Sequence, residues 1–259
     1  MATSETDDRA APAAGDRDET EGDVHFTGPC RGIPPYTLII PAYNEEARIP
    51  HLLSELAGAK GEFICICEGD DRTPSLISEF ARANPEVCIR CDRRTSRLGK
   101  GGAILEGMRQ ARAPLVGYMD ADASTSFAQM LALYALLNGQ DVVIGSRWIE
   151  GSVLVRQQGI GRRFESRVFN LIIRVLFGLP FKDTQCGAKV FKKAAIDAVI
   201  GQMVSTGFEF DVELLWRIDN SGFRIREHPI SWHDRGDSRV RGADVLRMFS
   251  GLLRLRFAR

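Results

Sequence analysis

The 259-residue chain is 44% hydrophobic and 26% charged, with Lys+Arg and Asp+Glu equal at 34 each, as in an ordinary globular protein large enough to bury about 70–75% of its unfolded surface. A net charge of zero excludes a histone-like polycation and a fully disordered polyanion, and no nucleic-acid partner is expected. There is no run of 18 or more apolar residues to cross a membrane, and the acidic N-terminus lacks the apolar core of a secretory signal.

The neutral total hides an asymmetry. Residues 1–24 hold eight acids and two bases, which leaves the other 235 residues at +6. The first 34 residues read as a disordered acidic tail with little to bury. Next, Thr37–Pro41 is a short apolar β-branched run, hence a buried strand, and Glu45–Leu56 follows with apolar residues at helical spacing. The alternation continues with strand Phe63–Cys67, helix Pro74–Ala83, strand Val87–Cys91, helix Gly101–Ala111, strand Leu115–Met119, helix Phe127–Leu137 and strand Val142–Gly145. Strands alternating with helices of this length predict an α/β fold with a mostly parallel sheet flanked by helices.

The second half is less regular. Arg162–Phe177 is apolar but broken by Arg167, Asn170 and Arg174, and a polar turn from Asp183 leads into Lys189–Phe191. Phe208–Asn220 reads as helical after its first residues, and Phe223–Trp232 alternates like an edge strand. Gly242–Phe257 reads as a basic amphipathic C-terminal helix. Between Arg235 and Arg259 stand seven Arg against two Asp, suited to an anionic ligand or a membrane surface. Of the six cysteines, Cys65, Cys67, Cys88 and Cys91 fall in strands. The spacing of the first pair does not suit a zinc knuckle, so free thiols packed in strands, in a cytosolic protein, are expected.

In such sheets, ligands bind beyond the carboxyl ends of the strands. Five predicted strand ends are followed by polar residues: Ala42–Glu45, Glu68–Asp71, Asp92–Arg94 with Gly99–Gly102, Asp120–Asp122, and Ser146–Arg147. Together they describe one polar edge able to hold an anionic ligand. Asp120-Ala121-Asp122 is the sharpest signal. Two carboxylates one residue apart at a strand end can approach one hard divalent cation, Mg²⁺ or Mn²⁺, together with substrate phosphates.

The stretches IIPAYNEEARIP (39–50), GKGGAILEGM (99–108), MDADAS (119–124), GSR (145–147), DTQCGAKVF (183–191), FEFDVELL (208–215) and RGDSRV (235–240) resemble the family 2 glycosyltransferases of the GT-A (Rossmann-like) fold. Within that family the chain is similar to the dolichyl-phosphate glucose and mannose synthases. DTQCG and FDVELL are closer to the glucose synthases, RGDSRV to the mannose synthases. The resemblance implies a GT-A domain over residues 35–240, followed by the basic helix 241–259. It implies inverting transfer of a hexose from a nucleotide sugar, UDP-glucose first and GDP-mannose as the alternative, to dolichyl or polyprenyl phosphate. The other alternative is a hydroxyl acceptor, which requires a carboxylate base at Asp211 or Glu213.

Residue by residue, the resemblance places Pro41, Tyr43, Glu45 and Glu68 in the nucleotide-contacting loops and Lys100 near the nucleotide. Asp120 and Asp122 carry the metal and diphosphate. Arg147, Arg162 and Ser166 hold the acceptor phosphate, and Arg235 closes over the donor phosphates. Two departures stand out. Cys67-Glu68 replaces the family's usual Asp-Asp pair, which bears on the choice of base, and Ser124 occupies a position often filled by a metal-contacting Gln. The lipid acceptor implies a cytoplasmic protein peripherally associated with a membrane surface, through its amphipathic segments or through a membrane-protein partner.

Overall fold

The fold was analysed in a computed structural model that describes residues 24–27, 32–155, 170–233 and 242–257. In chain order its elements are β1 (Val24–Thr27), β2 (Thr37–Tyr43), α1 (Ile49–Leu56), β3 (Glu62–Glu68), α2 (Thr73–Ala83), β4 (Cys88–Arg94), α3 (Gly99–Gln110), β5 (Leu115–Met119), α4 (Phe127–Ala135), β6 (Val142–Ser146) and β7 (Val153–Leu154). They continue with helix α5 (170–177), β8 (Ala188–Lys192), α6 (Lys193–Asp197), a 3₁₀ turn (Ile200–Gln202), α7 (Phe210–Asn220), β9 (Ile225–Pro229), β10 (Ser231–Trp232) and α8 (Gly242–Phe257).

The apolar runs build an eight-stranded sheet in the order β1-β4-β3-β2-β5-β8-β6-β9. Strands β4, β3, β2 and β5 are parallel neighbours, as are β6 and β9, whereas β8 is antiparallel to both β5 and β6 and β1 is antiparallel to β4. Six strands therefore point one way. Side chains alternate across the sheet. Leu38, Ile40 and Ala42 of β2 join α1, α2 and α4 in one core, while Ile39 faces the other, built from α3, α5, α6, α7 and α8. The result is a three-layer α/β/α arrangement. Gly107 lets α3 sit directly on β2, because a Cβ there would lie 2.5 Å from Ile39 Cγ2.

Several local readings change. Residues Val24–Thr27 lie within the segment read as an acidic tail, yet they pair with β4, because four β-prone residues (VHFT) suffice to cover an otherwise open edge. The first helix starts at Ile49 rather than Glu45. Asn44 has φ +52°, and residues 45–48 form a turn before Pro50 enters the helix's first turn. Cys65, Cys67, Cys91 and Cys186 are free and buried as expected, but Cys88 is disulfide-bonded. It lies at the N-terminal end of β4, beside the edge, where it is only half-buried, unlike the four core thiols. The C-terminal helix spends part of its apolar face on the protein itself, with Met248 and Leu252 buried in the second core.

Candidate functional site

Strands β2, β3, β5 and β6 end at one edge of the sheet, and the loops that follow them are cross-braced there. Asn44, after β2, accepts a hydrogen bond from the Asp70 amide on the loop after β3 (3.0 Å). Gly69 faces Asn44 so closely (a Cβ would lie 1.9 Å from Oδ1), at φ +96°, that only glycine fits. Pro41 and Tyr43 form the end of β2, and the Arg97 guanidinium lies 4.1 Å above the Tyr43 ring. Glu45 grips Arg48 through two hydrogen bonds (2.6 and 2.7 Å), and Glu68 accepts the Leu98 amide. Both acids, read from the sequence as nucleotide contacts, thus spend at least one carboxylate oxygen on shaping their own loops.

Lys100 stands in the first turn of α3. The glycines around it admit a neighbour rather than loosen the turn. A Cβ at Gly99 would lie 2.7 Å from the Thr206 carbonyl, and one at Gly101 would lie 2.4 Å from Phe210 Cβ. The loop before α7 and the start of α3 therefore touch backbone to backbone, and Lys100 Nζ reaches Asp120 Oδ1 at 2.7 Å.

Asp120 follows β5 directly, and its amide donates to the Gly187 carbonyl (3.2 Å). Ala123, at φ +52°, closes the turn, and Asp122 Oδ1 accepts the Ser124 amide (2.9 Å). Among the described residues, Asp122 Oδ2 makes no hydrogen bond or ion pair, and no third His, Cys, Asp or Glu joins the two aspartates in a metal cluster. The pair fits a hard divalent cation by its donor chemistry: two partly exposed carboxylates, one with an oxygen uncommitted among the described residues. The exposed His233, just after β10, donates its amide to the Ser124 carbonyl (2.9 Å), bringing the end of the two-stranded sheet formed by β7 and β10 against the same turn.

Behind the two aspartates lies a lattice of alternating charges that the sequence reading did not anticipate. Arg147, after β6, donates from Nε and Nη2 to the two oxygens of Asp183 (2.7 and 2.9 Å) and from its amide to Oδ2. Its guanidinium lies 5.7 Å from the Trp148 ring and 5.5 Å from the Trp232 ring. Glu227, on β9, accepts the Lys182 and Asp183 amides and so fixes the other end of this pair. Lys189, fully buried in β8, donates to the Cys186 carbonyl and to Asp211 Oδ1 (2.6 Å each), and Tyr118 also donates to Asp211.

The titration directions follow from this lattice. Burial alone would raise Asp120, but Lys100, Lys189 and Arg147 around it bring its carboxyl below the usual range. Burial would likewise raise Asp183, and Arg147 outweighs it, so Asp183 is also lowered. Burial opposes the charge on Lys100 and Arg147, yet the carboxylates of Asp120 and Asp183, respectively, raise both above their ordinary values. Desolvation pushes the Cys186 thiol up to about 12, and Asp183 reinforces it. Cys186 is therefore a neutral packing group and not a nucleophile.

Gly187 makes the lattice geometrically feasible, since a Cβ there would lie 1.9 Å from Asp120 Oδ2. Gly187→Ala should displace the Asp120 carboxylate and cut turnover by about 10²-fold, the scale expected for misplacing a reacting group by roughly 1 Å. Its melting temperature should stay near wild type. Steady-state rates beside a thermal melt check this, and unchanged turnover would mean that Asp120 needs no such close seat.

The structure therefore brings Pro41, Tyr43, Glu45, Glu68, Lys100, Asp120, Asp122 and Arg147 to one edge of the sheet and its adjoining loops. Arg162, Ser166 and Arg235 lie outside the described residues. Asp211 and Glu213 are on α7 but are committed. Asp211 is 3% exposed and bound to Lys189 and Tyr118, and Glu213 is fully buried against the Val204 and Ser205 amides and Arg217.

Comparison with known proteins agrees with this architecture. Residues 37–200 match the profile of glycosyl transferase family 2. Glycosyltransferase AglD of Haloferax volcanii is 31% identical over 84% of the chain, although the chain spans only 36% of that protein's length. Dolichyl-phosphate beta-glucosyltransferase ALG5C of Trichomonas vaginalis is 28% identical over 85% of the chain and 70% of its own length. Polyprenol monophosphomannose synthase of Mycolicibacterium smegmatis is 30% identical over 80% of the chain and 82% of its own length. Among solved structures, mannosyltransferase PcManGT of Pyrobaculum calidifontis, in complex with GDP-Man and Mn²⁺, superposes with a TM-score of 0.59 at 21% identity, covering 91% of this chain and 68% of that one. Glucosyl-3-phosphoglycerate synthase of Mycobacterium tuberculosis, with Mn²⁺ and UDP-glucose, gives 0.63 at 17% identity over 87% and 79%.

The chain belongs to glycosyl transferase family 2. Its three-layer fold with a mostly parallel sheet is the GT-A architecture of these structures.

Proposed function

We propose that the chain transfers a hexose from a nucleotide sugar to the phosphate of an isoprenoid phosphate, dolichyl or polyprenyl, with inversion at the anomeric carbon. The supporting observation is the commitment of Asp211 and Glu213. A hydroxyl acceptor needs a base to take its proton, and the two carboxylates expected to serve are buried and already bonded, Asp211 through Oδ1 to Lys189 and Tyr118 and Glu213 to the Ser205 amide and Arg217. A phosphate monoester needs none, because its second pKa lies near 6 and it is already a nucleophile at neutral pH. An acceptor phosphate oxygen forms the new bond to the anomeric carbon as the bond to the nucleotide diphosphate breaks, and no proton has to move.

The task of the protein is then to hold two anions in line. Arg147, clamped by Asp183 on one edge, presents its remaining N–H groups to the acceptor phosphate. Lys100 and the Asp120–Asp122 turn face the donor's diphosphate. A divalent cation on Asp122 and Asp120, Mg²⁺ or Mn²⁺, would neutralise charge on the departing diphosphate. Arg162, Ser166 and Arg235 complete the anion contacts in this reading. UDP-glucose is the preferred donor, in line with the DTQCG and FDVELL stretches and the glucosyltransferase relatives. GDP-mannose is the second reading, favoured by the mannose synthase relative. Among the described residues no helix is long and apolar enough to cross a membrane. In this reading the lipid is reached by peripheral contact with the cytoplasmic face or through a membrane-protein partner.

The test offers UDP-glucose, GDP-mannose, UDP-galactose and UDP-N-acetylglucosamine separately, with polyprenyl phosphate and Mn²⁺ or Mg²⁺ in detergent. Extracted lipid is then weighed by mass spectrometry. One hexose on the lipid phosphate is the expected product, and sugar appearing on a hydroxyl acceptor instead would overturn the reading.

A further inference from the structure

Three cations surround the Asp120 carboxylate: Lys100, Lys189 and Arg147. Two of them are bound elsewhere. Lys189 is fully buried between Asp211 and the Cys186 carbonyl, and Arg147 holds both oxygens of Asp183. Lys100 is different. Its side chain is 20% exposed, and among the described residues its ammonium makes one ion pair, the 2.7 Å contact with Asp120 Oδ1, and no other hydrogen bond.

That oxygen is also the more open one. A Cβ on Gly187 would lie 1.9 Å from Asp120 Oδ2 and 2.6 Å from Oδ1, so Oδ2 is the oxygen pressed closer to the Gly187 backbone. Lys100 therefore stands on the oxygen that a divalent cation would take. It also stands where a lysine is costly unless an anion is near. It lies in the first turn of α3, at the positive end of the helix dipole, and that turn holds no acid and no side-chain cap. The turn itself is fixed, because Gly99 and Gly101 pack against the Thr206 carbonyl and Phe210. What can move is the ammonium, at the end of a flexible four-carbon stem.

We propose that Lys100 is an exchangeable counter-ion: it neutralises Asp120 until the donor's diphosphate takes its ammonium, and Asp120 Oδ1 is then released to a divalent cation. The proposal rests on the reading of a nucleotide sugar as donor and adds the order in which the site fills. Lys100 opposes a cation on Asp120, whereas the diphosphate draws Lys100 away and so favours that cation. Metal and donor are thereby coupled, each improving the affinity for the other by the same factor. The competing reading is a static ion pair, in which Lys100 only braces the turn after β5.

The test uses the full chain and starts without metal. UDP, GDP and inorganic pyrophosphate, which share a diphosphate and differ in the base or lack it, are titrated by calorimetry. The proteins are the wild type, Asp120→Asn, Lys100→Met and the double variant. Asp120→Asn should bind the diphosphates about fivefold more tightly than the wild type, the worth of one partly exposed ion pair. In the Lys100→Met background the same substitution should bring no gain. No gain in either background, or an equal gain in both, would overturn the proposal, because an equal gain comes from the lost negative charge and not from a released lysine. Mn²⁺ alone is then titrated into the wild type and Lys100→Met. Without the lysine it should bind about fivefold more tightly. Equal or weaker binding would overturn the proposal, since a bracing lysine supports the metal turn instead of competing for it. Thermal melts accompany each variant, and Lys100→Gln replaces Lys100→Met if the latter melts early. If the wild type with Mn²⁺ binds none of the three diphosphates, the donor reading itself fails and the proposal with it, an outcome separate from a lysine that does not exchange.

Discussion

Replacing Asp122 with Ala should abolish sugar transfer, by about 10³-fold or more, while the protein stays folded. The half-exposed Asp122 carboxylate has one oxygen capping the Ser124 amide and, among the described residues, the other uncommitted, so little of the described fold depends on it. Asp120, by contrast, is already compensated by Lys100, Lys189 and Arg147. In the proposed reading the two aspartates therefore divide the work: Asp120 is held by the protein's own charges, and Asp122 offers the freer oxygen to a cation that both would hold. Losing a group that stabilises developing charge in a site of this kind costs about 10²–10³-fold for a single hydrogen-bond donor, and a metal ligand should cost at least as much. The measurement is single-turnover transfer at saturating Mn²⁺, alongside Mn²⁺ affinity by calorimetry. An Asp122→Ala protein that binds Mn²⁺ normally and turns over would refute this division of labour.

Lys189→Met should be the most destabilising single substitution in the site. Lys189 is fully buried, with its ammonium shared between Asp211 and the Cys186 carbonyl. Removing it strands the Asp211 carboxylate, and breaking a buried ion pair from one side costs about 3–5 kcal/mol. For a domain of this size that lowers the melting temperature by about 10 °C or more. Adding Asp211→Asn should restore about 2 kcal/mol, because no net charge then remains buried and the Tyr118 hydroxyl keeps an acceptor. Urea denaturation of the two single variants and the double variant measures the coupling directly. Simple additivity of the two losses would show that the pair is not a unit.

Much of the frame was legible because its signals are local. The runs TLII, FICIC and LVGYM are apolar and bounded by polar turns, and each became a strand with a polar carboxyl end. Asp120, Asp122, Lys100 and Arg147 were found from their place after such strands. The charge lattice was not found, because it exists only once the sheet order is known. Lys189 meets Tyr118 in register across β5 and β8, and Asp211 arrives from a helix on one face of the sheet. A faint signal was present: a lysine in the apolar run AKVF and an aspartate in FDVELL are opposite charges in segments otherwise fit for the interior. Glu45 and Glu68 were read by position, and sequence does not show that a carboxylate is spent on a neighbouring Arg48 or on the Leu98 amide. β1 went unread because four residues beside a long acidic stretch make a weak pattern and gain meaning only against the open edge of β4.

The reversed strand β8 has a consequence for how the chain becomes active. It is inserted between β5 and β6, although both precede it by more than 40 residues. Until it arrives, the nascent chain carries two unsatisfied strand edges, and Asp120 has Lys100 and Arg147 but not the rest of its seat, because Lys189, Gly187 and Asp183 are all still to come. A fragment ending at residue 155 would thus keep the aspartate turn in sequence but lack its seat. Adding residues 170–257 as a separate piece would have to restore both the sheet and the site in one event. Assembly of the fold and acquisition of the catalytic charge pattern are, in this chain, the same closing step.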